Sequence, residues 1–197
     1  VVVDAANPNL ESLKGLGNKC VLKILSNAIT HKTEVGGVAL NIAITDIPSK
    51  LLAMAAEVKT KSGSSIKEFL VQEMAAGGQE LIVGMHQDPL GRAILVGMGG
   101  VTAELFKDTS MRLISPGKAL SKEEVLEMLQ ELKTWPLLNG YRGRAQCDLN
   151  ALVKAIVQFS EMVAVLGERL IECEINPIFV FTQGQGVKAA DGIAVLN

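Results

Sequence analysis

Short apolar segments, each bounded by glycine, proline or polar residues, recur along this chain of 197 residues. Cys20–Leu25, Val38–Ile44 and Arg92–Met98 are rich in valine, isoleucine and leucine, which is the composition of buried β-strands. Helix signals lie between such segments, for example Ser121 followed three residues later by Glu124, the pattern of a capping box. This alternation predicts an α/β (or α+β) protein.

A run of small residues, Ala75–Gln79, divides this pattern into two parts. We therefore predict two α/β lobes, a smaller one over about residues 1–74 and a larger one over about residues 75–197. In the second part, Asp148 precedes a long amphipathic segment and is the expected N-cap of its helix. The chain begins at Val1 without methionine, so we expect a fragment of a longer protein or one subunit of a complex.

Composition excludes several classes of partner. The chain has 19 basic and 21 acidic residues and seven aromatic ones (five Phe, one Tyr, one Trp), so we expect no nucleic-acid partner. No apolar run approaches the roughly 20 residues that span a bilayer, and we expect no membrane partner. The three cysteines have no CxxC spacing, which favours a reducing, cytoplasmic location over a disulfide or zinc framework. They are Cys20, Cys147 and Cys173.

Oxygen-bearing side chains near the C-terminus suggest a metal site. Glu174 and Asn176 are two residues apart, so a strand would point both to one face. An even-length turn at Gln183–Gly186 would place Ile178 opposite Asp191 and bring Asp191 to that same face. Two carboxylates and an amide oxygen suit Mg²⁺. The alternative is that the asparagine and aspartate belong to ordinary turn dipeptides, and an odd loop would move Asp191 to the other face.

Two features of the first half could bind phosphate. Lys23 lies inside an apolar strand and needs a counter-charge, such as a nucleotide phosphate, or a route to solvent on an exposed strand face. The segment His31–Gly37 combines an imidazole, the cation Lys32 and the flexible backbone of Gly36 and Gly37, whose amides can approach phosphate oxygens closely. The alternative for this segment is a hairpin connection with a surface histidine.

Glu73 and Glu80 flank the small-residue segment between the two predicted lobes. A cleft between lobes is a common ligand site, and a carboxylate there can accept hydrogen bonds from ribose hydroxyls. The alternative is that both glutamates are solvated strand ends. The run Gly97–Gly100 lacks the strand–GxGxxG–helix context of a Rossmann fingerprint, so we do not predict that fold.

Taken together, several segments of the chain from about residue 18 onward resemble the ATP-grasp domain of NDP-forming acyl-CoA synthetases. These are ADP-forming acetyl-CoA synthetases, related to the β subunit of succinyl-CoA synthetase. The resemblance implies an ATP-grasp fold, in which nucleotide lies in a cleft between two α/β lobes. It is carried by Val21–Asn41, Val71–Gly84, Gly97–Leu113, Pro136–Arg144 and Glu174–Val180.

The resemblance also implies roles for individual residues. Lys23 matches a strand lysine that contacts nucleotide phosphates, and Glu80 matches a ribose-binding acid. Asn176 and Asp191 match Mg²⁺ ligands, with Glu174 as a possible third, and ATP or ADP would be the substrate. The complete nucleotide-binding set that the resemblance implies is Lys23, Lys32, Gly36, Gly37, Glu73, Glu80 and Arg112.

The family reaction is acyl-CoA + ADP + phosphate ⇌ carboxylic acid + ATP + CoA. His31, in HKTEVGG, is implied as a second phosphohistidine relay, and Glu34 replaces the commoner aspartate of that motif. The implied partners are CoA-binding and CoA-ligase domains or an α subunit, in a hetero- or homo-oligomer. Two alternatives stay open: a regulatory ATP-grasp domain fused to a protein acetyltransferase, and another ATP-grasp carboxylate ligase, which would not need His31.

Overall fold

The computed structural model describes residues 1–29, 32–75, 77–99 and 107–197. The chain divides into two compact units, the N-terminal unit Val1–Met74 and the C-terminal unit Ala75–Asn197. Each unit has its own sheet and its own buried apolar cluster. His31, the predicted phosphohistidine, lies outside the described residues.

The N-terminal unit is an antiparallel sheet packed on one long helix. Among the described residues its strands follow the order β1-β4-β2-β3. The helix α1 begins after Asp46, has Pro48 in its first turn, and ends at Gly63, whose φ of 73° is the left-handed conformation that glycine adopts readily. The elements are β1 (Val2–Asp4), β2 (Lys19–Ile24), β3 (Val38–Ala43), α1 (Ile47–Ser62) and β4 (Glu68–Glu73).

The core of this unit lies on one face of β2. Cys20, Leu22 and Ile24 belong to the buried cluster that also includes Leu51 and Val58 of α1. Because successive strand side chains point to opposite faces, Lys23 lies on the other face of the sheet.

The C-terminal unit is an antiparallel sheet with helices against one face. In the described part of the chain its strand order is β10-β8-β5-β6-β7, with β9 also paired to β8. The predicted capping box at Ser121 is confirmed. The Ser121 hydroxyl oxygen accepts a hydrogen bond from Glu124 N, and the Glu124 carboxylate accepts one from Ser121 N. The strands are β5 (Gln79–Asp88), β6 (Gly91–Met98), β7 (Thr109–Ile114), β8 (Leu170–Val180), β9 (Val187–Ala189) and β10 (Gly192–Leu196), and the helices are α2 (Lys122–Glu131), α3 (Trp135–Leu138) and α4 (Leu149–Leu166).

Helix α4 supplies much of the core of the C-terminal unit. Its N-cap is Asp148, as the sequence predicted, and Leu152, Ile156 and Val163 are fully buried against the sheet. The segment Leu149–Arg169 is long and apolar enough to cross a membrane by length and composition alone. Its buried residues belong to the same cluster as β5 and β6, so it packs as a core helix.

The predicted pairing of the last strands is wrong by two residues. Ile178 lies opposite Ala189 rather than Asp191, and Val180 lies opposite Val187. Thr182, the expected partner of Val187, instead forms a bridge with Cys147, which lies just before α4. The turn is therefore shorter than the predicted four residues. Phe181 N donates to Gly186 O at 3.1 Å and Gln185 N donates to Thr182 O at 2.9 Å, which continues the same register and leaves Gln183 and Gly184 at the tip.

Candidate functional site

Lys23 occupies a buried position on the central part of the N-terminal sheet. The cross-strand partners of Lys23 are Val38 of β3 and Leu70 of β4. The residue is only 7% exposed. A solvent-facing strand lysine, the alternative interpretation of the sequence, does not fit this burial.

The glycine pair of the candidate phosphate loop lies beside Lys23 in the same unit. Ile24 N donates to Gly37 O at 2.9 Å, and Gly37 N donates to Lys32 O at 2.7 Å. A Cβ on Gly37 would lie 2.7 Å from the Ile24 side chain. Gly36 has a φ of 76°, and a Cβ there would meet the Glu57 carboxylate of α1. Both positions therefore favour glycine, since a Cβ on Gly37 would also lie 2.8 Å from the Lys32 carbonyl oxygen. The pair lies directly before β3, which is antiparallel to β2.

Glu73 lies at the end of β4, opposite Cys20. Three residues, or about 10 Å of strand, separate it from Leu70, the partner of Lys23. Its side chain is exposed, and by strand alternation it lies on the other face of the sheet from Lys23. Any contact with a nucleotide base at this point would come from the neighbouring backbone.

In the described part of the C-terminal unit, the cluster residues of the sheet lie on the face that the helices cover. The opposite face, which we call the open face, carries none of the described cluster residues. Leu81, Val83 and Met85 of β5 belong to that cluster, so Glu80 lies on the open face. On β8, Cys173 and Ile178 belong to the cluster, and a register shift against β5 separates them. The open face therefore receives Glu80, Glu174, Asn176 and Asp191.

Asn176 and Asp191 lie directly opposite each other. Asn176 N donates to Asp191 O at 3.1 Å, and the pairs on either side, Ile175 with Gly192 and Ile178 with Ala189, keep the same register. The common face predicted for these residues thus survives the shifted turn, because a slip of two residues preserves the strand alternation.

The Asn176 and Asp191 oxygens have the chemistry of a magnesium site. An amide oxygen and a carboxylate are hard ligands, and Mg²⁺ usually takes one or two carboxylates together with water and phosphate oxygens. Glu174 is the diagonal neighbour, opposite Ile193. Among the described residues no three His, Cys, Asp or Glu side chains form a metal-binding group, so a nucleotide phosphate would have to supply further ligands.

Glu80 is the second residue of β5 and lies opposite Phe179 of β8. Gly99 N donates to Glu80 O at 2.8 Å, and a Cβ on Gly99 would lie 3.0 Å from the Glu80 carbonyl carbon. Glycine is therefore the residue that lets the chain after β6 approach Glu80. Sequence reasoning missed this role, because a dinucleotide fingerprint and a family resemblance, the two patterns considered for this run, do not show which distant backbone Gly99 approaches.

The structure does not bring Arg112 to the open face. Arg112 lies opposite Ile94, a core residue, and its guanidinium binds the Glu131 carboxylate of α2. Ser110 Oγ donates to the same carboxylate at 2.6 Å. The Arg112 hydrogen bond, followed by that of Ser110, lowers the pKa of Glu131 to about 2. Arg112 therefore ties β7 to α2 on the helix side of the sheet.

A buried acid, Asp108, was not singled out from the sequence. Asp108 accepts hydrogen bonds from the backbone of Lys133 and Thr134 and from the Thr134 hydroxyl. Burial alone would raise the pKa of Asp108, but these hydrogen bonds outweigh it and leave the pKa below its ordinary value. The residue holds the start of α3 and is structural.

Comparison with known proteins gives one domain assignment for nearly the whole chain. A family model described as an ATP-grasp domain matches residues 1–196. The ADP-forming acetate–CoA ligase I of Archaeoglobus fulgidus is 36% identical over 187 residues, which cover 94% of this chain and 26% of the ligase. The β subunit of ADP-forming acetate–CoA ligase II of Pyrococcus furiosus is 30% identical over 194 residues, covering 95% of this chain and 79% of that subunit. The chain thus spans about a quarter of the first relative.

Solved structures agree with that assignment. A crystal structure from Pyrococcus horikoshii has a TM-score of 0.85 at 31% identity and covers 95% of this chain and 79% of that one. The acetyl-coenzyme A synthetase 1 of Candidatus Korarchaeum cryptofilum, in complex with coenzyme A and Mg-AMPPCP, has a TM-score of 0.77 at 30% identity and covers 95% and 81%. In that complex a phosphohistidine segment points towards the nucleotide-binding site.

Proposed function

Because the chain belongs to the ATP-grasp family, as its resemblance and fold predicted, we propose that it is the nucleotide-binding, phosphoryl-transfer component of an ADP-forming acyl-CoA synthetase. The complete enzyme would catalyse acyl-CoA + ADP + phosphate ⇌ carboxylic acid + ATP + CoA. The observation that carries the proposal is the direct opposition of Asn176 and Asp191 on the open sheet face.

Within the C-terminal unit, we assign metal and ribose contacts to the open face. Asn176 and Asp191 would hold Mg²⁺, with Glu174 beside them, and Glu80 would accept hydrogen bonds from ribose hydroxyls. Mg²⁺ in such a site neutralises phosphate oxygens during phosphoryl transfer. About three residues of strand separate Glu80 from Asn176 along the sheet, or ~10 Å, which leaves room for phosphates between them.

Within the N-terminal unit, we assign phosphate contacts to Lys23, Lys32 and the amides of Gly36 and Gly37. The burial of Lys23 supports this role, because a cation at a desolvated site attracts phosphate more strongly than one in water. Glu73 would mark the backbone that recognises the base. Arg112 is left out of the proposed site because Glu131 already engages its guanidinium.

Partner domains are part of the proposal. We propose that CoA-binding and CoA-ligase domains, fused to this chain or on a separate α subunit, supply acyl-CoA chemistry in the cytoplasm. His31 would take the phosphoryl group from their phosphohistidine onto an imidazole nitrogen and pass it to ADP. The relatives include a 4-hydroxybutyrate–CoA ligase as well as acetate–CoA ligases. We therefore propose that the partner domains determine which carboxylic acid is used.

The test is calorimetric titration of ADP and ATP with and without Mg²⁺. We expect Mg²⁺-dependent binding by the chain and a loss of at least about 10-fold in affinity in Asn176→Ala/Asp191→Ala. A matched control is Asn150→Ala/Glu161→Ala, which removes the same two group types from exposed positions on α4. Wild-type Mg²⁺-nucleotide affinity in the first variant would overturn the assigned site.

A second arm tests the reaction itself. Addition of the ligase domains of a relative should restore acyl-CoA formation from a short acid, ATP and CoA. Full activity of a His31→Asn variant would point to a carboxylate ligase that works without a phosphohistidine, and no turnover with any acid would count against the synthetase assignment.

A further inference from the structure

We propose that Asp148 is a positioning residue: its carboxylate holds the turn after β8 in the one register that sets Asn176 directly opposite Asp191. The role in metal binding rests on the proposed function, whereas the role in register does not.

The two carboxylate oxygens of Asp148 accept hydrogen bonds from two different parts of the chain. Oδ1 accepts from Ala151 N at 3.1 Å and caps α4. Oδ2 accepts from both Gly184 N and Gly186 N, each at 3.0 Å. Those glycines have φ of 84° and 77°. Hydrogen bonds from Ala151, Gly186 and Gly184 keep the pKa of Asp148 below its ordinary value, so the carboxylate is ionised at neutral pH.

The backbone around Asp148 reinforces the same contact. Asp148 N donates to Phe181 O at 2.8 Å, and Gln183 N donates to Gln146 O at 2.9 Å. Cys147 pairs with Thr182. The Phe181–Gly186 pair keeps one cross-strand hydrogen bond, from Phe181 N to Gly186 O at 3.1 Å, and its other two groups, Phe181 O and Gly186 N, bind Asp148 instead. Asp148 thus holds the last pair of the ladder next to the turn.

The register matters because the proposed metal pair lies on opposite sides of this turn. In the register with a four-residue turn, which has Thr182 opposite Val187, Asp191 would lie opposite Ile178. Relative to Asn176 it would be displaced by two residues, or about 7 Å. A preorganised binding site tolerates a displacement of only about 0.5 Å in the groups that bind its ligand. Both registers satisfy the alternation of faces. In the observed one, two hydrogen bonds within the hairpin, Phe181 N to Gly186 O and Gln185 N to Thr182 O, close the turn, and the Asp148 carboxylate adds two more from outside the hairpin.

The decisive variant is Asp148→Asn. Asparagine is a good N-cap and keeps one carbonyl oxygen for Ala151, but its NH₂ group cannot accept from Gly184 and Gly186. The matched control is Ser121→Ala, which removes the N-cap of α2 in the same unit and leaves the turn alone. Circular dichroism establishes that each variant is folded.

Two readouts follow, one of register and one of metal binding. For Asp148→Asn we expect faster hydrogen exchange at the Gly184 and Gly186 amides and weaker cross-strand NOEs between residues 176 and 191. We also expect the Mg²⁺-dependent part of ADP affinity to fall about 10-fold or more, with ADP affinity in the absence of Mg²⁺ unchanged. Ser121→Ala should change none of these.

Unchanged NOEs between residues 176 and 191 in folded Asp148→Asn would overturn the register role. Lost NOEs with unchanged Mg²⁺-dependent affinity would overturn the positioning role. If the wild-type chain binds no Mg²⁺-nucleotide, the proposed function fails, and the NOE and exchange data still decide the register.

Discussion

Lys23 and Asp108 are both charged and both nearly inaccessible, 7% and 4% exposed respectively. The Asp108 carboxylate accepts hydrogen bonds from the segment just before α3, and its role is to hold that segment in place. Lys23 lies on the face of β2 that the apolar core does not use, beside the Gly36–Gly37 turn. Burial of charge is explained at Asp108 by structural hydrogen bonds, and at Lys23 it agrees with the phosphate contact proposed above.

Replacement of Lys23 by methionine tests the second role. Met fills a similar volume and removes only the ammonium group, so we expect the fold to persist. A charge-assisted hydrogen bond is worth about 1.5–3 kcal/mol, so Kd for ADP should rise at least about 10-fold in calorimetry.

Lys19→Met is the matched control, because Lys19 is an exposed lysine on the same strand. It should leave the affinity unchanged. Equal affinities for the two variants would remove Lys23 from the phosphate site.

At the scale of elements, β7 has the reverse of the expected pattern. Met111 and Leu113 are 45% and 62% exposed, whereas Ser110 and Arg112 face the helix side. The cause is the Glu131 carboxylate of α2, which binds both polar side chains. In this short strand, the polar partner on α2 therefore determines which face the polar side chains occupy.

This contact predicts a specific acid dependence. The folded pKa of Glu131 is about 2, below the ordinary value of about 4.3. A depressed carboxylate pKa stabilises the fold above the unfolded pKa, and the contribution is lost as pH falls from about 4.3 towards 2. Denaturant titrations over that range should show a shallower loss of stability in Glu131→Gln than in the wild type.

Glu127→Gln, an exposed glutamate of the same helix, is the control and should follow the wild-type curve. Parallel acid limbs for wild type and Glu131→Gln would contradict the assigned contact.

At the scale of the molecule, the described residues form two apolar cores that belong to different units. Phe69 is fully buried in the first and Leu152 in the second. Because each cluster is confined to its own unit, a substitution that weakens the packing of one cluster should first destabilise the unit that contains it.

Hydrogen exchange can check this. Phe69→Ala and Leu152→Ala should each lower the free energy of unfolding by about 3 kcal/mol. The first should speed amide exchange mainly in residues 1–74 and the second mainly in residues 75–197. Leu52→Ala, at a 62% exposed site on α1, should have little effect. Equal loss of protection in both units from either core variant would refute independent cores.

Much of the fold and part of the candidate site could be predicted from local pattern. The capping box at Ser121, the N-cap at Asp148 and the common face of Glu174 and Asn176 each depend on residues at most a few positions apart. Such relations follow from helix and strand periodicity, so the sequence alone was sufficient for them.

Other features depend on residues far apart in the chain. Asp148 reaches Gly184 and Gly186 across 36 and 38 residues, and Arg112 meets Glu131 across 19. No local pattern encodes such pairs, because two registers or two strand faces can satisfy the same alternation. The sequence determined which elements form and which side chains share a face. Only the tertiary structure decided that Lys23 is buried, that Arg112 turns to α2, and that Asn176 lies opposite Asp191.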